Sequence, residues 1–257
     1  MLDAVPRDLA HPARVGADAQ VVDLSVVIPA YNEQARIGRT IEAVCAYLTG
    51  TGVSWELIVV DDGSSDGTAA VAREIMERDA RVRLIQLPAN RGKGNAVRVG
   101  VLATHGTEVL ITDADLSTPI DEVEKLRAEG GDAVVTIGSR QRGAQIDVQQ
   151  NAARRLLGRL GNYYIRAVAV PGVRDTQCGF KLLRGEAART LLARTRLNGW
   201  GIDVEILHLA DRFGWEVAEV PVRWAHATGS KLRPTAYLHV LAEVAYVRLV
   251  HRKASAA

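Results

Sequence analysis

LSVVIPAYNEQARIGRTIEAVCAYLTGTGVSWELIVVDDGSSDG, residues 24–67, reads as strand, helix and strand in immediate succession. Leu24–Ile28 and Leu57–Val60 are brief, rich in β-branched residues and apolar without alternation, as strands buried on both faces tend to be. Between them Ile37, Ile41, Val44 and Leu48 recur at helical spacing, and Cys45 is read on the same apolar face as a core residue. Two strands joined by a helix run parallel, and parallel sheets carry ligands beyond the carboxyl ends of their strands. Both strands run straight into polar segments, Pro29-Ala-Tyr-Asn-Glu33 and Asp61-Asp-Gly-Ser-Ser-Asp-Gly67.

Outward from that unit the alternation continues. A second helix follows Asp66-Gly67, then a strand near Leu84–Leu87, a helix over Lys93–Thr104 and a strand at Val109–Thr112. Ala133–Gly138 reads as a strand, Arg140–Val148 as a polar loop and Gln149–Val168 as an arginine-rich helix. A Pro171-Gly172 break precedes helices at Glu186–Ala193 and Asp203–Arg212, a strand at Trp215–Val222 and a final helix from about Ala236. The pattern predicts an α/β domain, a mostly parallel sheet with helices on both faces and right-handed crossovers. Residues 1–22 read as a leader, 23–235 as the domain and 236–257 as a C-terminal helix with a frayed tail.

At 257 residues, one such domain is the expected count. An apolar share of 47% with 24% charged residues excludes a disordered chain. A formal charge of +2 gives no global pull toward nucleic acid, so none is expected as a partner. The two cysteines, Cys45 and Cys178, have neither metal-ligand spacing nor a disulfide framework. Neither a signal-peptide core nor a long apolar span is visible, and a reducing, cytoplasmic compartment is expected.

The chemistry concentrates where strands end. Glu33, Asp61 and Asp62 follow the first two strands and Asp113-Ala-Asp115 follows the fourth, so carboxylates crowd one rim with Tyr31 among them. Such crowding is unfavourable unless a cation shares the site. Mg²⁺ or Mn²⁺ on Asp113 and Asp115, completed by substrate phosphates, resolves it, although a D-x-D can equally end a strand and cap a helix. Asn90-Arg-Gly-Lys-Gly-Asn95 supplies glycines for close backbone approach to phosphate, free N–H groups at a helix start, and Lys93 to reach ribose or diphosphate.

Val26–Glu33, Val59–Asp66 and Asp113–Asp115, in this order, resemble the family 2 glycosyltransferases, which have the GT-A fold. The resemblance covers roughly Leu24 to Pro234. It implies that Pro29, Tyr31, Glu33, Asp61, Asp62 and Lys93 bind the nucleotide, and that Asp113 and Asp115 hold metal and diphosphate. Asp175-Thr-Gln-Cys-Gly-Phe-Lys-Leu-Leu183, Gly201–Glu205 and Gly229-Ser-Lys-Leu232 are similar to polyprenyl-phosphate glycosyltransferases, and most of all to dolichyl-phosphate β-glucosyltransferases. That likeness implies inverting transfer of glucose from UDP-glucose to a lipid phosphate. It puts Asp175 and Gln177 at the sugar and makes Asp203 and Glu205 candidates to orient hydroxyls, with a helix N-cap as the plain alternative for Asp203. Ser117 stands where related mannosyltransferases commonly have Gln, a departure that bears on the third metal ligand.

A lipid phosphate is already anionic and needs cationic positioning more than a base. Arg140, Arg154, Arg155, Ser230 and Lys231 are the candidates to hold it. Arg154–Val173 mixes arginines with leucines and tyrosines, as an interfacial helix on the inner face of the plasma membrane would, or a core-facing helix with an arginine rim. Cys178 has no paired base and reads as packing. GDP-mannose as donor, or a soluble alcohol as acceptor, stays open, as does assembly into a homo-oligomer. A nicotinamide dehydrogenase is excluded because no G-x-G-x-x-G follows the first strand.

Overall fold

The computed structural model describes residues 21–140, 146–147, 161–225 and 234–252. In chain order they form β1 (Val22–Ala30), α1 (Ile37–Thr51), β2 (Trp55–Asp61), α2 (Thr68–Arg78), β3 (Val82–Gln86), α3 (Lys93–Leu102) and β4 (Gly106–Ile111). There follow α4 (Glu122–Glu129), β5 (Val135–Ser139), β6 (Ile146–Asp147) and helical residues 161–168, here α5. The remainder is β7 (Lys181–Arg184), α6 (Gly185–Arg194), α7 (Ile202–Arg212), β8 (Val217–Pro221), β9 (Trp224–Ala225) and α8 (Pro234–Val250).

Seven strands make one sheet in the order β3-β2-β1-β4-β7-β5-β8, and β6 pairs with β9 in a separate ribbon. β1 lies parallel to β2, from Leu24 opposite Trp55 to Ala30 opposite Asp61, and parallel to β4 on its other side. Alternate residues enter opposite layers, as the two-residue strand period requires. Val26, Ile28, Leu57 and Leu110 pack with Ile37, Ile41, Val44 and Leu48 of α1, whereas Val27, Val109 and Ile111 pack with Val97 and Val101 of α3.

β7 is the departure from a parallel sheet. It runs antiparallel to both β4 and β5, with Lys181 opposite Ile111 and Ile137. The sequence gives it only a short Lys-Leu-Leu-Arg run with a lysine inside, so it does not announce itself as a strand. Its direction has a consequence for the site. Residues entering β7 arrive where β4 and β5 leave, so the Asp175–Phe180 segment is delivered to the rim beside Asp113 and Arg140. Gly138 N donates to Phe180 O at 2.9 Å and fixes that delivery. β6 interrupts what the sequence suggests is one polar loop, and the helix expected from Gln149 is described only from residue 161.

Candidate active site

The first two rim loops are laced together. Asn32, with φ of 53°, accepts from Ser65 N through its side chain (2.8 Å) while its own N–H donates to Ser64 Oγ (2.9 Å). Glu33 N donates to Thr68 Oγ1 at 2.7 Å. Asp66 Oδ1 accepts from Thr68 N, closing the start of α2. Tyr31 stays 38% exposed on this scaffold, and Glu33 is ion-paired with Arg36.

Asp61 ends β2 fully buried; Ser64 N donates to its Oδ1 at 3.2 Å, but its buried Oδ2 has no hydrogen-bond partner among the described residues. A buried carboxylate oxygen in that state is a costly arrangement that a donor from a ligand would relieve. Asp62 beside it accepts from the N–H groups of Arg91 (3.0 Å) and Gly92 (2.7 Å). Burial pushes its carboxyl above the usual value, the two N–H bonds work against that, and Asp61's charge adds to it.

Lys93, first residue of α3, is the hub. Its Nζ lies 2.9 Å from Asp113 Oδ1, 3.3 Å from Asp203 Oδ2 and 5.6 Å from the centroid of the Trp200 ring. Asp203 is shared with Lys181, a lysine with no exposed surface, at 2.5 Å. Burial disfavours charge on Lys93, but the two aspartates outweigh it and hold the ammonium protonated well above the usual lysine range. Burial likewise raises the Asp203 carboxyl, and Lys181 and Lys93 more than reverse this, leaving it below the usual value.

Asp113 is the open member, its side chain 41% exposed. Thr40 Oγ1 holds Ala114 O at 2.7 Å, and Ser117 N donates to Asp115 Oδ1 at 2.9 Å, so the Asp113–Asp115 turn is anchored on α1 and within itself. Leu116 completes it with φ of 46°. Gly179 lies directly against Asp113: a Cβ there would stand 2.0 Å from Oδ2. Asp113 and Asp115 are both partly exposed, and oxygen ligands of this kind suit a hard divalent ion, for which Lys93 at Asp113 would be a competitor. Among the described residues no group of three or more His, Cys, Asp or Glu converges on one point.

Across the rim Arg140 grips Asp175 through Nε (2.9 Å) and Nη2 (2.8 Å), and its backbone N–H also donates to that carboxylate (2.8 Å). Asp175 is positioned in turn, because Glu219 accepts from the N–H groups of Arg174 and Asp175 at 2.9 and 2.8 Å. Burial raises the Asp175 carboxyl, yet its bonds to Arg140 dominate and hold it below the usual range. The guanidinium carbon sits 5.6 Å from the Trp224 ring centroid. Two of Arg140's five N–H donors are therefore committed to Asp175, not to an acceptor anion. Gln177 lies partly buried in the same segment, and Cys178 is buried, its thiol pushed by burial up to about 11, as a packing residue would be.

Two expectations are corrected. The N–H groups at the start of α3 are not free: Gly94 and Asn95 donate to Asn198 O (2.7 and 3.3 Å), and Arg91 and Gly92 donate to Asp62. The glycines at 92 and 94 serve that approach, since a Cβ at either would come within 2.4 Å of Asn198 O or 2.7 Å of Leu197 O. Glu205 does not face the sugar site. It is fully buried, accepts from Arg196 and Leu197 N–H and bonds His251. Arg154, Arg155, Ser230 and Lys231 lie outside the described residues. Of the segment expected to be interfacial, Tyr163 is 71% exposed while Ile165 is buried and Tyr164 reaches Leu241 O on α8. Lys181, Gly179, Trp200 and Glu219 were not anticipated; a lysine inside Phe180–Leu183 was the one visible signal.

A mostly parallel sheet broken by one antiparallel strand, with the two-aspartate turn of Asp113 and Asp115 after β4 and acidic loops after β1 and β2, defines the GT-A class of glycosyltransferase. Solved structures agree: glucosyl-3-phosphoglycerate synthase from Mycobacterium tuberculosis with Mn²⁺, UDP and phosphoglyceric acid superposes with a TM-score of 0.65 at 22% identity, over 90% of this chain and 79% of that one. The chain belongs to glycosyl transferase family 2, which matches residues 25–192. It is 35% identical over 248 residues to the dolichyl-phosphate β-glucosyltransferase of Homo sapiens, covering 90% of this chain and 76% of the relative. The Drosophila melanogaster enzyme of that name is 37% identical over 84% of this chain and 71% of its own length.

Proposed function

We propose that the protein transfers glucose from UDP-glucose to a dolichyl or other polyprenyl phosphate, with inversion and with Mg²⁺ or Mn²⁺, at the cytoplasmic face of a membrane. The observation carrying this reading is the Asp113 carboxylate, held between Lys93 and Gly179 and open to solvent. The likeness to dolichyl-phosphate β-glucosyltransferases over most of the chain supports the donor sugar and the lipid acceptor.

In this reading uracil stacks on Tyr31 and its ring N–H donates to the unpartnered Oδ2 of Asp61, while Pro29, Glu33 and Asp62 frame the base and ribose. A divalent cation on Asp113 and Asp115 would neutralise charge on the departing diphosphate. Lys93, held protonated between Asp113 and Asp203, faces the same charge and needs no reorganisation as it develops. Asp175 and Gln177 hold sugar hydroxyls, Asp175 being rigid because Arg140 and Glu219 fix both its side chain and its backbone. Acceptor phosphate oxygen attacks the anomeric carbon as the bond to the β-phosphate breaks, and that electron pair leaves with UDP. Arg154, Arg155, Ser230, Lys231 and the three Arg140 N–H groups that Asp175 does not occupy are assigned to the acceptor phosphate, which is anionic without a base.

The test incubates the purified chain with Mn²⁺, labelled UDP-glucose or GDP-mannose, and a short prenyl phosphate, glycerol or 3-phosphoglycerate. Label moving from UDP-glucose into a butanol-extractable, acid-labile product is the expected result. Transfer to the soluble acceptors alone, or from GDP-mannose alone, overturns it.

A further inference from the structure

Residues 195–201, between α6 and α7, form a wall of the Lys93 site and are held from behind by groups the transfer does not use. Toward the site, Asn198 O accepts from Gly94 and Asn95, Arg98 donates to Thr195 Oγ1 and Asn198 Oδ1 at 3.0 Å each, and Trp200 lies over Lys93. Away from it, both ends of the segment are tied to α8 and the turn that follows. Residues 196 and 197 bond Glu205, which bonds His251 at 2.7 Å. Gly201 N donates to Glu243 Oε2 at 2.8 Å. The Glu243 carboxylate is wedged between the glycines flanking Trp200: a Cβ on Gly199 would stand 2.2 Å from Oε1, and one on Gly201 2.7 Å from Oε2. Gly201 is also the residue from which α7 starts, two positions before Asp203.

We propose that Glu243 is a positioning residue for the transfer. By clamping Gly199 and Gly201 it sets Trp200 against Lys93 and fixes the start of α7, from which Asp203 reaches the same ammonium. The packing of α8 is thereby transmitted to the diphosphate end of the site. Glu205, bonded to His251, holds the N–H groups of residues 196 and 197 at the other end of the segment. The inference rests on the reading of the Lys93 end as the diphosphate site.

The experiment compares full-length wild type with Glu243→Ala, Glu243→Gln, Gly199→Ala and the double variant Glu243→Ala/Gly199→Ala. In ligand-free protein the indole N–H resonance of Trp200, assigned with Trp200→Phe, should move in Glu243→Ala while those of Trp55, Trp215 and Trp224 stay. The kcat/KM for UDP-glucose should fall about tenfold to a hundredfold, as small displacements at a reacting centre do, and Mn²⁺–UDP affinity should fall with it. Glu243→Gln keeps an oxygen to accept from Gly201 and should recover most of the loss. Gly199→Ala pushes the flexible carboxylate aside without deleting it and should resemble Glu243→Ala, and the double variant should be no worse than Glu243→Ala alone. Should Glu243→Ala fail to fold, Gly199→Ala carries the test.

An unmoved Trp200 resonance overturns the inference, as does a moved one with wild-type Mn²⁺–UDP affinity and kcat/KM. Wild type that binds Mn²⁺–UDP yet transfers nothing to prenyl phosphate counts against the acceptor reading only. The Trp200 and Mn²⁺–UDP comparisons among the variants then still decide the role of Glu243.

Discussion

Gly179→Ala tests the arrangement around Asp113 without altering any charged group. The new methyl carbon would stand 2.0 Å from Asp113 Oδ2 and 2.8 Å from Oδ1, where real contacts begin beyond 3.0 Å. The backbone has little room to yield, because Gly138 N holds Phe180 O and Lys181 Nζ holds Cys178 O on either side of the substitution. The Asp113 carboxylate, partly exposed and paired with Lys93, must yield instead, by about 1 Å or more. A displacement of that size at a reacting centre corresponds to a loss of roughly a hundredfold in kcat. The fold should survive it, since the group that moves is the more exposed end of the pair, although that pair with Lys93 is loosened; a loss of about 1 kcal/mol is expected. Transfer from labelled UDP-glucose, Mn²⁺–UDP calorimetry and a thermal melt read the three quantities. A folded Gly179→Ala protein with transfer within about twofold of wild type would refute the claim that Asp113's position governs the reaction.

Asp175→Asn breaks a buried pair while Arg140 keeps partial solvation, so denaturant unfolding at pH 7 should show a loss of about 3 kcal/mol. Because Asp175's folded carboxyl titrates below the unfolded value, its contribution is complete above about pH 4. It is lost as pH falls through the folded value, so variant and parent should converge in acid and differ at neutral pH; a gap that widens in acid contradicts this. Lys93→Met removes the cation facing Asp113, and should tighten Mn²⁺ binding in the absence of nucleotide while transfer falls about a hundredfold; unchanged metal affinity would count against a shared site. Asp61→Asn should weaken UDP by about tenfold, as loss of a hydrogen bond to a charged group does, and leave inorganic pyrophosphate binding unaltered. Equal losses for both ligands would place Asp61 away from the base.

The legible part of this molecule is the part with local periodicity. β1, α1 and β2 announce themselves because buried parallel strands are continuous apolar runs and α1 repeats its core residues at helical spacing. The rim residues follow from that reading, since ligands gather beyond such strands. β7 escapes a reading by pattern because four residues with an interior lysine match none; Lys181 is paired with Asp203 of α7, a contact that local sequence does not show. The glycines at 92 and 94 were visible but their purpose was not, because phosphate and a carbonyl such as Asn198 O make the same steric demand. Glu205 and Glu243 illustrate a related limit. A carboxylate near a site motif looks the same in sequence whether it faces a sugar or holds a backbone turn, and only the partners distinguish the two.

The proposed transfer requires Asp113 and Asp115 to hold a divalent ion together with a nucleoside diphosphate. Calorimetric titration of UDP into wild type and Asp115→Ala, with Mn²⁺ and with EDTA, addresses that directly. Wild type should bind UDP at least tenfold more tightly with Mn²⁺ than with EDTA, and Asp115→Ala should lose the difference while its melt is unchanged. Equal UDP affinity with Mn²⁺ and EDTA in wild type, or an undiminished Mn²⁺ effect in Asp115→Ala, would contradict it.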